Sequence, residues 1–295
     1  MQSLWVLVAA ALLSVMSTCV KLASQAHSPW EILFWRNTVG LCVLVPVMRQ
    51  LGGGLRHQLA TPHWPAHLVR NLSGVVSVLL WFASIAHLPI ATSVTLNYTS
   101  SLFIGVFVFV GAAWAGQPLR HGSMLMALGV GFVGIVLMLR PTIDNDQLGW
   151  ALVGLASGAL SAMAMMSVRA MGKLGEPSSR IVFYFTLSGL IAGAIGTALT
   201  GAHMPDVRGA MLLFGIGVSS VLAQLAVTRA FAHGAALLSA NLNYVGILFA
   251  SFWGRLIWGD KLPALAWGGI ALIIAAGATA TWLTANATKP SVTSE

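Results

Sequence analysis

Ten stretches of this chain are apolar for about twenty residues each, the length a helix needs to cross the hydrocarbon of a bilayer. They fall near 4–23, 30–48, 67–86, 91–114, 122–139, 149–169, 179–199, 208–231, 235–257 and 264–284. Only 7% of the 295 residues are charged, and mean hydropathy is +0.85. A soluble domain carries about 25% charged residues, so this chain has too little charge to cover a water-facing surface. It reads as an integral membrane protein. The runs are uniformly apolar, whereas barrel strands would alternate over about ten residues, so the spans are helices. Turn formers such as Ser28-Pro29, Leu88-Pro89, Glu176-Pro177 and Leu262-Pro263 fill most gaps and predict tight connections. The first run follows only Met1-Gln2-Ser3, without a basic leader, and reads as a retained helix.

The spans fall into two copies of one unit. Residues 86–107 align without a gap on 232–253, with eight of 22 positions identical, among them His87/His233, Ser93/Ser239, Asn97/Asn243 and Tyr98/Tyr244. Span two, Ile32–Leu41, likewise matches span seven, Ile181–Leu190, which pairs Arg36 with Phe185. Residues 1–141 therefore form a first five-helix repeat, 142–148 a polar connection, 149–285 a second repeat and 286–295 a cytoplasmic tail. Five spans is an odd number, so the second half lies inverted relative to the first, a plan common among transporters. The predicted fold class is all-α, ten transmembrane helices in two inverted repeats.

Net charge is +8, but the basic residues cluster at helix ends, where they set topology and give no reason to invoke nucleic acid. With the N-terminus cytoplasmic, the inside holds Arg49, Arg56, Arg70, Arg120, Arg169, Lys173, Arg180, Arg229 and Lys289. The outside holds Lys21, Arg140, Arg208, Arg255 and Lys261. That balance favours both termini in the cytoplasm of a bacterial inner-membrane protein. Cys19 and Cys42 fall inside spans and are expected as buried thiols.

In its ten-span plan, in Phe34-Trp35-Arg36-Asn37, Leu88-Pro89, Arg140-Pro141 and Gly259-Asp260-Lys261-Leu262, the chain resembles the EamA branch of the drug/metabolite transporter superfamily. The resemblance implies a transporter of a small organic metabolite. Relatives often carry a proline in the middle of span four or nine. Here those places read Asn97-Tyr98-Thr99-Ser100-Ser101 and Asn243-Tyr244-Val245-Gly246. Any helix break there must come from Gly246 or from the Ser and Thr hydroxyls.

Arg36 lies about 9 Å into span two, where an ionised side chain faces a bundle interior or a wet cavity. It is the candidate dock for an anionic group, the alternative being an outward-reaching arginine or one paired with Glu31. Lys21 and Glu31 are expected to join it in one ion cluster, either freeing Arg36 for ligand or forming an ordinary interfacial network. Asn97 and Asn243 need polar partners inside the bilayer. They lie on stripes with Ser93, Ser100, Ser101 and Ser239, and Ser73, Ser77, Trp81 and Ser84 form another. Such stripes suit a central cavity, although small polar residues also line tight helix contacts. Trp35, Trp81, Tyr98, Tyr184 and Tyr244 are candidates to stack on a flat substrate, and Gln224 is a candidate cavity residue. His87 and His233 close spans three and eight and read as helix-end groups.

No metalloprotease, serine-hydrolase or nucleotide-binding motif is present in the sequence, nor is a carboxylate at the middle of a span. The chain is expected to be no enzyme and to need no cofactor. Its partners are a small-molecule substrate and membrane lipids, in a monomer or weak dimer. The expected activity is secondary transport of a small metabolite by alternating access around a central cavity, with an amino acid or amino-acid derivative as the leading substrate class. Nucleotide-like or flavin-like compounds are the alternative, and a non-transporting structural subunit is the further one.

Overall fold

The computed structural model describes residues 5–50, 54–114, 122–139, 147–233 and 245–287, and every regular element among them is helical. In chain order these are α1 (Trp5–Ala23), α2 (Pro29–Gln50), α3 (Leu55–Leu59), α4 (Trp64–His87), α5 (Ile90–Tyr98), α6 (Ser100–Trp114), α7 (Gly122–Leu139), α8 (Leu148–Lys173), α9 (Ser178–Thr200), α10 (Val207–His233), α11 (Val245–Trp258) and α12 (Ala264–Ala287). Seven described segments are long and apolar enough to cross a membrane: α1, α2, α4, the joined α5–α6 stretch, α8, α9 and the bulk of α10. α11 and Ala264–Ala276 of α12 are shorter apolar helices. The connection expected at 49–66 contains the short helix α3.

Local signals set several of these boundaries. Ser28 and Glu31 close a capping box on α2: the Glu31 amide donates to Ser28 Oγ, and the Ser28 amide donates to Glu31 Oε2 at 2.8 Å. Pro65 stands in the first turn of α4, where its missing N–H costs nothing. The expected fourth span is two helices meeting at Thr99. There the Thr99 amide reaches both the Thr95 and Leu96 carbonyls, and Thr99 Oγ1 donates to Leu96 O at 2.6 Å. A hydroxyl thus bends the backbone without proline. Gly158 of α8 lies against the bend, where a Cβ would come within 2.6 Å of Leu96 O.

α1 packs on α10 and α4 on α8, and these two pairs exchange when the halves are swapped; α2 packs on α9 and α7 on α12, and these pairs map onto themselves. α1 against α11 likewise answers α5 and α6 against α8. α2 and α9 run antiparallel, since Gly189 faces Asn37, Gly193 faces Phe34 and Gly196 faces Trp30. The contact of Gly40 with Thr186 is the counterpart of that between Gly189 and Asn37, each glycine giving room to a side chain of the opposite helix.

Apolar side chains cover the outside. α4 exposes Leu68, Val69, Leu72 and Val76 while burying Arg70, Ser73, Ser77 and Trp81, the reverse of a soluble helix and the arrangement that lipid favours. Cys19 is half-buried, but Cys42 is exposed on this outer surface rather than buried as expected.

Candidate functional site

A cavity of about 80 Å³ opens where the helices of the two halves meet, lined in part by Ser77, Trp81, Asn97, Tyr98 and Gln224. The first four come from α4 and α5; Gln224 comes from α10, and Ser161 of α8 adds a hydroxyl from that half. The buried Trp81 indole N–H has no partner among the described residues and is a donor on the wall.

The bend at Thr99 puts Asn97, Tyr98, Ser100 and Ser101 along the same wall. Asn97 Nδ2 donates to Ser157 Oγ at 3.1 Å, and Ser77 Oγ donates to Ser157 O at 2.8 Å. Those bonds tie α4 and α5 to α8. Ser84 and Ser93 pair at 2.6 Å, and Ser14 and Ser17 return their hydroxyls to carbonyls of their own helix. The polar stripes therefore divide, part facing the cavity and part holding helices together.

Arg36 lies off the cavity wall, 3% exposed. Its Nη1 donates to Asn37 Oδ1 at 3.1 Å, while Nε is buried without a partner. Its Cζ stands 5.5 Å from the Phe185 ring centroid, and Arg70 approaches the same ring to 4.1 Å. Arg70 is 4% exposed and its Nε also lacks a partner. The aromatic ring is thus shared by two buried guanidinium groups, with no ion pair to either among the described residues.

The other expected residues lie elsewhere. Trp35 packs against the main apolar core and edge-on to Phe34 at 5.4 Å. Tyr184 donates to Leu59 O at 2.7 Å and sits against Trp64 and His67, away from the cavity. Lys21, Glu31 and Arg36 have separate partners rather than one another. Lys21 Nζ donates to Leu88 O at 2.8 Å and lies over Trp258. Glu31 serves its capping box and accepts the His203 amide. Backbone donors near a helix start satisfy a carboxylate more cheaply than an ammonium brought from the next helix. Asn243 and Tyr244 lie outside the described residues.

Two carboxylate-centred ties bracket the α2–α9 pair. At one end His27 and Glu31 approach to 3.8 Å, with His203 Nδ1 3.3 Å from Glu31. At the other, Arg180 donates to Glu176 at 3.0 Å, His67 lies 3.6 Å away and the Thr61 hydroxyl donates to Glu176 Oε1. Burial works to raise the Glu176 carboxyl, but the Thr61 hydroxyl and the Arg180 guanidinium hold it below its ordinary value. In the span-two to span-seven alignment His27 matches Glu176 and Glu31 matches Arg180, so the ties are counterparts with charge reversed.

The pseudopaline exporter CntI of Pseudomonas aeruginosa is 32% identical to this chain over 264 residues, 89% of each protein. The model of the EamA-like transporter family matches residues 1–140. The chain belongs to the EamA family. It is accordingly a multi-pass small-molecule transporter of the drug/metabolite superfamily. A riboflavin transporter of Vibrio cholerae is 25% identical over 276 residues, covering 92% of this EamA protein and 90% of its own length. A crystal structure that is 16% identical superposes with a TM-score of 0.68 over 96% of this chain and 98% of that one, a likeness of fold.

Sequence reasoning missed two features of this EamA chain that bear on the cavity. Arg70 was counted with the residues that set topology, yet it is buried beside Phe185. The available signal was Gly74, four residues on, which leaves room for a side chain to lie along the helix. Ser157 was also missed as the joint of α4, α5 and α8; Gly154 and Gly158 flank it and mark a close helix contact.

Proposed function

We propose that this EamA protein is a secondary transporter for a small organic metabolite bearing an anionic group, with an amino acid or amino-acid derivative as the leading class. The observation that carries the proposal is a cavity lined from both halves by Trp81, Asn97, Tyr98 and Gln224, in a bundle that also buries Arg36 without a carboxylate partner. Arg36 takes the anionic group, the amides and the indole N–H take polar groups, and the aromatic rings take the body. Asn243 and Tyr244, the sequence counterparts of Asn97 and Tyr98, are assigned to the same substrate.

Ten spans form two inverted repeats, residues 1–141 and 149–285, joined by 142–148, with both termini in the cytoplasm. The exchange of helix pairs between halves and the antiparallel run of α2 and α9 support this arrangement. Access alternates as one half rocks on the other, and the two carboxylate-centred ties open in turn. A flavin-like or nucleotide-like substrate is the second reading, favoured by the Trp81 and Tyr98 rings on the cavity and by the riboflavin transporter relative.

The test is thermal stabilisation of the purified protein in detergent by amino acids, nucleosides and flavins, repeated on Arg36→Ala. Saturable stabilisation by one class, lost in the variant, supports the reading. Stabilisation that survives in Arg36→Ala removes Arg36 from the site.

A further inference from the structure

We propose that Arg36 and Arg70 together form one binding locus for a small molecule carrying two separate anionic groups, a dicarboxylate in its chemistry. This rests on the reading of Arg36 as the dock for an anionic group and adds a second cation to it.

Both guanidinium groups are permanently charged and almost wholly buried. Among the described residues their arrangement lacks what normally stabilises buried charge, a paired and hydrogen-bonded counter-ion. Glu31 and Glu176, the buried carboxylates among the described residues, are engaged at opposite ends of the α2–α9 pair. Asp206 caps Gly209, and Asp260 acts on Lys21. What the two arginines share is the Phe185 ring, whose face offsets part of one charge. The two Cζ atoms lie no more than about 10 Å apart, the sum of their distances to that ring. Arg36 Nε, Arg70 Nε and Asn71 Oδ1 are all buried without partners.

Arg70 also points the wrong way for a structural arginine. It lies six residues after Trp64, where α4 begins, and a long cationic side chain so placed ordinarily reaches back to the near interface. Instead its Nη1 lies over Gly74, one turn further into the helix, in space a Cβ would occupy. Arg70, Gly74, Ser77 and Trp81 share one face of α4, and Ser77 and Trp81 line the cavity. Seven residues separate Arg70 from Ser77, a rise of about 10 Å. The charge is therefore directed along the cavity face toward the middle of the bundle. A ligand seated between the halves meets Arg36 with one anionic group and Arg70 with the other.

The experiment measures affinity by thermal stabilisation of the intact protein in detergent, using succinate and glutarate against butyrate, succinamide and inorganic phosphate. Wild type should bind the dicarboxylates about tenfold or more tightly than butyrate, with succinamide inert. Arg70→Gln should erase that preference. Gly74→Ala, which keeps the charge but displaces its tip, should erode the same preference and decides the matter if Arg70→Gln does not fold. A wild type without dicarboxylate preference, a preference unchanged in the folded variants, or phosphate binding as tightly as glutarate each overturns the two-group locus. Butyrate binding that ignores Arg36→Gln overturns the underlying Arg36 reading instead, so the two failures are distinguishable.

Discussion

Arg36 and Phe185 occupy equivalent positions in the duplicated chain and touch, the guanidinium carbon 5.5 Å from the ring centroid. In the proposed inverted-repeat arrangement, aligned residues meet only near the axis that relates the halves, and the α2–α9 pair supplies one such contact. There the chain has broken its symmetry, keeping a cation on one side and an aromatic face on the other. Phe185→Arg would restore identity and bring three guanidinium groups together with no carboxylate beside them. The expected result is a sharp fall in folded yield on size-exclusion chromatography. Phe185→Leu should fold, with stability lowered by about 2 kcal/mol for a desolvated cation–π contact and a further term for lost volume, read by thermal unfolding.

Arg36→Ala should impair transport while leaving folded yield nearly intact, because the side chain makes one hydrogen bond and no ion pair. Arg36→Lys should rescue transport only in part if a carboxylate is gripped by a planar fork. Uptake into vesicles containing each variant, normalised to folded protein, checks both.

The bend at Thr99 is a stability prediction. Gly158→Ala would push a methyl group to 2.6 Å from Leu96 O and should cost about 1–3 kcal/mol through overpacking. Thr99→Val keeps the volume but removes the hydroxyl bond to Leu96 O, and should cost about 1 kcal/mol. Thermal unfolding in detergent separates these from a neutral outcome.

Glu176 predicts a pH dependence whose sign follows from its lowered carboxyl. A group held below its ordinary value stabilises the fold above that ordinary value and loses the effect as pH falls through the lower one. The groups facing it are Arg180 and Tyr184 from α9, with His67 from α4 and Thr61 from the segment before it. Wild type should exceed Glu176→Gln in unfolding temperature near neutrality. The gap should close under acid conditions, and a gap independent of pH would count against the tie.

Much of this fold could be read from the sequence because bilayer physics leaves few options. Long apolar runs with turn formers between them can only be helices, and every regular element among the described residues is one. The Ser/Thr-rich stretch after Asn97 could be read as the source of a bend once proline was absent, and Thr99 supplies it. The site was harder. Ser77 and Trp81 share a cavity wall because spacing along one face of α4 survives folding, while Asn97, Tyr98 and Gln224 reach it from α5 and α10. Tyr184 does not, since its hydroxyl found the Leu59 carbonyl at the end of the short helix α3, a partner that no helical periodicity could foretell. Glu31 carried a capping-box signature, Ser28-x-x-Glu31, that outweighs the ion pair expected from its charge. For Arg70 the sequence gives a depth but no direction, and direction is what separates an interfacial arginine from a buried one.

The most direct test of alternating access needs no substrate. A single cysteine at position 97, in a background with Cys19 and Cys42 replaced, is exposed to a membrane-impermeant thiol reagent in right-side-out and in inverted vesicles. The account predicts labelling from both faces, since the Asn97 wall must open to each in turn. Protection from both faces, or labelling from one face alone, would contradict it.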